Sequence, residues 1–240
     1  MEKGNVPKNP ILLTGLPDVG LVGVVALSHC VSFLKMDEVA SVESDIFPPI
    51  VVLHGGIPKS PIRVFSKESI TALVAEMAIP AAAINQLANT IVGWASSKNA
   101  ELLICIGGMA VQNRQDIEQP KVFAALSDKA VSDKLRGAAE IMEEGYIVGP
   151  YALILKKCAD LNIPAIALLT QSFYNYPDPE AAAAAVTSLN KILDLKVDTS
   201  ELLSKGEEIR LRAKDTMRRT QAEMAKMNKA QEYEVPPLYM

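Results

Sequence analysis

The chain has 240 residues, 49% of them hydrophobic and 22% charged, with 24 Lys and Arg against 28 Asp and Glu for a formal charge of −4. This length holds one large domain, or a core with an appendage, and needs no disulfides to bury a core. The composition excludes a disordered or fibrous chain, and the slight acidity excludes the broad basic field that nucleic acid requires.

Residues 11–14 read as a buried strand closed by Gly15 and Pro17, followed by helical periodicity from Gly20 to about Phe33 and a strand over 39–44. Phe47-Pro48-Pro49 breaks the pattern. Residues 50–53 and 62–65 are then expected to pair as a hairpin around a loop marked by Gly55, Gly56 and Pro58. A strand over 70–78 stops at Pro80, which opens a helix to about Ser97 with Ile84, Leu87, Ile91 and Trp94 on its apolar face. Residues 101–106 have the continuous apolar character of a central parallel strand, and Gly107-Gly108 is expected to turn the chain at the carboxyl edge of the sheet.

Residues 122–126 form a further short strand, with Ser127 or Asp128 placed to cap a following helix. A helix runs from Gly149-Pro150 to about Leu161, and a strand covers 165–169. Asp178 as N-cap and Pro179 at the first helical position start a helix that closes near Leu195. Strands alternating with helices predict an α/β layered core over residues 1–196. Residues 197–234 lack proline and are dense in charge, which predicts a helical extension, and 235–240 follow as an extended tail behind Pro236-Pro237. On the extension, Leu202, Ile209, Ala213, Met217, Met224 and Met227 form a narrow apolar stripe. Packing on a partner helix and lying on its own domain are both open uses of it.

The residues declare little chemistry. Cys30, Cys105 and Cys158 are scattered and odd in number, as expected of reduced core thiols in a cytoplasmic protein. Two histidines, His29 and His54, and no clustered cysteines leave no metal site, and no cofactor is expected. The longest uncharged stretch, between Glu76 and Lys98, is too polar for a span of about 20 apolar residues, so no membrane association is expected. The glycine-rich turn over 15–23 lies where phosphates are often cradled, but it lacks the Gly-Lys of a phosphate loop and has Pro17 where a dinucleotide loop needs glycine. A structural turn with tight helix-to-sheet packing is the expected use. Arg114, Asp116 and Glu118 read as a solvated loop beyond Gly107-Gly108. With no Gly-x-Ser-x-Gly elbow either, no catalytic residue is expected.

Gly15-Leu16-Pro17-Asp18-Val19-Gly20-Leu21-Val22-Gly23, then Ile106-Gly107-Gly108-Met109, then Pro164 to Leu169 leading to Tyr176-Pro177-Asp178-Pro179, resemble in order and spacing the proteasome assembly chaperone 2 family in its archaeal form. The resemblance covers about residues 10–195 and implies a three-layer α/β/α fold with a mixed central sheet, of the phosphorylase/hydrolase-like class. It also implies a homo-oligomer, a tetramer or pentamer, with a protruding C-terminal helix. Leu238-Tyr239-Met240 fits the hydrophobic-Tyr-any-residue ending that, in such chaperones and in proteasome activators, enters pockets between α subunits of the 20S core particle. Carried over, Leu238 is the apolar anchor, Tyr239 the aromatic wedge and Met240 the bearer of the carboxylate. The competing expectation is an enzyme acting on a small molecule at the carboxyl edge, near Gly15, Gly107 and Arg114.

Overall fold

The computed structural model describes residues 4–227. In chain order the elements are β1 (Ile11–Gly15), α1 (Val22–Leu34), β2 (Asp37–Ser41), β3 (Val52–His54), β4 (Ile57–Lys59), β5 (Ile62–Lys67), β6 (Ile70–Ala75) and α2 (Ile84–Ser97). There follow β7 (Leu102–Ala110), β8 (Val122–Leu126), β9 (Glu140–Ile141), α3 (Pro150–Asp160), β10 (Ala165–Ser172), α4 (Pro179–Leu193), α5 (Ser200–Ser204) and α6 (Gly206–Lys226).

Eight strands form one mixed sheet in the order β2-β5-β6-β1-β7-β10-β8-β9. Its centre, β6-β1-β7-β10, is parallel, while β8 on one side and β5 and β2 on the other run antiparallel to their inner neighbours. The parallel strands are apolar on both faces because both faces are covered. Leu102, Ile104 and Ile106 of β7 join the cluster under α1 and α4, and Leu103 and Cys105 join the cluster under α2 and α3. The result is the three-layer α/β/α arrangement with a mixed sheet that the family resemblance implies.

Three local expectations are corrected. Gly107-Gly108 does not turn the chain but continues β7 to Ala110. Residues 50–53 do not pair with 62–65: β3 pairs with β4, and β5 lies between β2 and β6 in the main sheet. The segment after Asp128 is a 3-10 helix, Lys129–Leu135, although Asp128 caps it as expected by accepting from the Ala130 N–H at 2.8 Å.

The charged extension is helical and lies on its own domain. Leu202, Met217 and Met224 of the stripe are buried in the cluster shared with α1 and α4, while Ile209, Ala213 and Met227 pack against it half-buried. Polar contacts fix the helix alongside. Glu223 accepts from the Ala81 N–H at 2.9 Å, Gln221 donates to Asn175 at 3.0 Å, and Arg210 pairs with Glu180 at 3.6 Å. Among the described residues, no helix is long and apolar enough to cross a membrane.

Candidate functional site

The carboxyl edge of the parallel strands is where an open α/β sheet offers a crevice to a ligand. Here the chain itself fills it. The turn between β1 and α1 folds over the edge with Gly20 at φ +60° and Leu21 at φ +50°, both left-handed. Asp18, Val19, Gly20 and Leu21 in that turn are all buried.

Glycines allow the approach. A Cβ on Gly15 would stand 2.4 Å from the Gly23 carbonyl oxygen, and one on Gly23 would stand 2.0 Å from that of Ile106. This is the tight helix-to-sheet packing expected of the 15–23 turn. On β7, a Cβ at Gly107 would meet the Tyr151 ring at 2.6 Å, and one at Gly108 would meet the Val19 carbonyl at 2.3 Å. The pair is therefore required for close approach along a strand, which is why two glycines that read as a turn continue the sheet.

Three polar side chains lock the joint. The Tyr151 hydroxyl, from the first turn of α3, donates to the Ile106 carbonyl at 2.6 Å and accepts from the Leu16 N–H at 2.8 Å. Arg114, expected in a solvated loop, is instead 2% exposed. It forks onto Asp178 through Nε to Oδ2 at 2.8 Å and Nη2 to Oδ1 at 3.0 Å, and also donates to Glu180 at 2.9 Å and to the Ile117 carbonyl at 2.6 Å. The guanidinium lies 5.0 Å from the centre of the Phe173 ring. Asp178 caps α4 as expected, accepting from the Ala181 N–H at 3.0 Å, and its own N–H donates to the Gly20 carbonyl at 2.8 Å. One residue thus ties the first turn, through its backbone N–H, to the loop after β7 and the start of α4, through its carboxylate.

The polar contacts of this arrangement hold elements together. Ser172 donates to Asp178 at 3.3 Å, but no histidine joins them. Burial pushes the thiols of Cys30 and Cys105 up to about 12 and that of Cys158 up to about 11, so all three stay protonated near neutrality. Burial, with the nearby charge of Asp18, also raises the Tyr151 phenol well above its ordinary range. His29 contacts the Asp198 carbonyl at 2.6 Å and is not paired with Cys30. Among the described residues, no group of three or more His, Cys, Asp and Glu is placed to hold a metal.

A groove of about 560 Å³ lies beside the edge turn, between α1 and the C-terminal helices, lined by Leu21, Val24, Val25, Leu202, Ile209 and Ala213. Among the charges on its rim, Lys205 pairs with Glu201 and Arg212 with Glu208, while Glu76 pairs with Arg63 of β5. Leu238, Tyr239 and Met240 lie outside the described residues. Tyr151, Ser172 and the partnership of Arg114 with Asp178 had no local signal in the sequence, because 64 residues separate the two charged groups.

Fold and edge together define a three-layer α/β/α protein whose carboxyl edge is packed shut by its own first turn. The sequence profile of the PAC2 family matches residues 12–217, and the chain belongs to that family. It is 29% identical over its whole length to an uncharacterised protein of Methanocaldococcus jannaschii, covering 97% of that protein. Its structure is similar to that of PbaA of Pyrococcus furiosus, described as an archaeal homolog of proteasome-assembly chaperone, at TM-score 0.85 and 28% identity over 91% of this chain and 96% of that one. PbaB of the same organism, described as an archaeal proteasome activator, shares the fold at TM-score 0.73 and 23% identity, over 89% of this chain and 96% of that one.

Proposed function

We propose that this chain binds the 20S proteasome core particle without ATP, as an assembly chaperone or activator, by inserting Leu238-Tyr239-Met240 into pockets between α subunits. The observation that carries this reading is the conjunction of a PAC2-family body, structurally similar to an archaeal homolog of proteasome-assembly chaperone, with a hydrophobic-Tyr-any-residue ending. Two features of the body support it. The carboxyl edge, where a small-molecule enzyme of this fold class would work, is filled by Val19, Gly20, Tyr151 and Asp178. The C-terminal helix is seated on the core through residue 227, where Met227 is half-buried against both apolar clusters.

Tyr239 supplies a flat apolar face and a hydroxyl, and a carboxylate at Met240 supplies a charge for a pocket lysine. One such tail buries too little surface to bind tightly, so affinity comes from several tails on one cytoplasmic homo-oligomer, tetramer or pentamer, each raising the effective concentration of the next. The test is co-sedimentation of purified protein with 20S core particles, comparing wild type with Tyr239→Ala. Wild type is expected to co-sediment and Tyr239→Ala to lose binding at least tenfold with its oligomeric mass unchanged. Equal binding of both, or none by wild type, overturns the reading.

A further inference from the structure

We propose that the cavity between β2 and α2 is a binding site for a small organic cation, an ammonium carried on an apolar body. The cavity exists because the sheet is wider than the helix above it. β2 and β5 form one margin of the sheet, and over that margin α2 leaves a gap of about 320 Å³. Val64 of β5 and Leu73 of β6 line the gap from the sheet, and Ile91 and Trp94 line it from α2. Val64, Leu73 and Ile91 are buried, so the floor belongs to the packed core. Residues 40–43 close the remaining side, and Ser44 just beyond them donates to Gln86 of α2 at 3.4 Å, which ties this segment to the helix. The volume falls at the small end of the range for sites that take small molecules.

Charge selects the ligand. Among the described residues that line the cavity, Glu43 alone is charged. Its side chain is exposed, which places the carboxylate at the mouth. It accepts from the Ser41 hydroxyl at 3.4 Å, and among the described residues no cation pairs with it. Thr90, the other hydroxyl of the lining, is spent on the Gln86 carbonyl at 2.9 Å. An anion would be repelled at this mouth, and a neutral molecule would leave the carboxylate unused.

Trp94 adds a preference of the same sign. The face of an indole attracts an ammonium that comes within about 6 Å of its centre. Lys98, four residues on, brings Nζ to 6.0 Å from this ring, at that limit, and is not among the residues lining the cavity. A ligand with its apolar body against Val64, Leu73 and Ile91 and its ammonium at the mouth, beside Glu43 and Trp94, uses every part of the lining.

Trp94 is the single tryptophan of the chain, so its emission reports on this cavity alone. The purified full chain is titrated near neutral pH with hexylamine, hexanol and hexanoate, which share a chain and differ in the charge of the head. Hexylamine is expected to change the emission saturably with a Kd about fivefold or more below that of hexanol, and hexanoate to bind more weakly than hexanol. Glu43→Gln keeps the shape and removes the charge. It is expected to cut the preference for hexylamine over hexanol to about twofold or less, with an unchanged unfolding midpoint because Glu43 is exposed. No saturable change with hexylamine, or an equal response to all three heads, overturns the proposal on the wild type alone. An unchanged preference in folded Glu43→Gln overturns it as well. So does tighter binding of the peptide Gly-Lys-Gly than of hexylamine, since the cavity would then receive a lysine side chain of another protein and not a free amine. No proteasome enters the test, so this inference and the proposed function fail separately.

Discussion

Arg114 and Arg218 make the same kind of bond to an aspartate, at 2.8 and 2.9 Å, yet the first is 2% exposed and the second 79%. At the carboxyl edge water is excluded, and the fork from Arg114 to Asp178 must compensate the desolvation of both charges. Along α6, Arg218 with Asp215 and Arg212 with Glu208 stand in solvent, where attraction is screened and side-chain entropy offsets most of it. The comparison separates a joint, whose polar groups hold the first turn, β7 and α4 in register, from a helix surface whose charges serve solubility. A distance alone distinguishes neither; the surroundings do.

The strongest way to break the joint is Arg114→Ala, which leaves Asp178 buried without its main partner and is expected to cost about 3–5 kcal/mol in urea unfolding. A loss below about 1 kcal/mol would mean that the cluster is not structural. Tyr151→Phe sharpens the point at smaller scale. It removes one hydroxyl, strands the Leu16 N–H and the Ile106 carbonyl, and is expected to cost about 1–3 kcal/mol by the same measurement. Arg218→Ala should do least, leaving the thermal midpoint within about 2 °C of wild type. A larger fall would show that the α6 surface carries more of the fold than its exposure implies.

Much of the fold was legible because local chemistry and burial agree. The alternation of apolar strands with helical periods gave the layers, Asp178-Pro179 marked a helix start that the structure keeps, and Gly15 with Gly23 marked tight packing. The misreadings have physical causes. Gly107-Gly108 has the composition of a turn, and what demands glycine there is the Tyr151 ring and the Val19 carbonyl, which arrive from 44 residues downstream and 88 upstream of Gly107. Residues 62–65 carry no mark of the partner they choose, because β5 is selected by β2 and β6 together. Arg114 read as solvated because an isolated charge after a strand usually is, and its true partner lies beyond β8, β9, α3 and β10. The apolar stripe on 202–227 was visible, but only the packed helix decides what it covers.

Strand order has a consequence for synthesis on the ribosome. β1 is the first strand made, yet it sits in the middle of the sheet with β6 on one side and β7 on the other. Until residue 75 has emerged it has no neighbour, and until residue 110 it has only one. The nascent chain therefore carries an apolar strand with a bare edge until β7 arrives, and the core cannot close before then. Slowing translation before residue 102 should lengthen the window in which this protein is most exposed to misassembly.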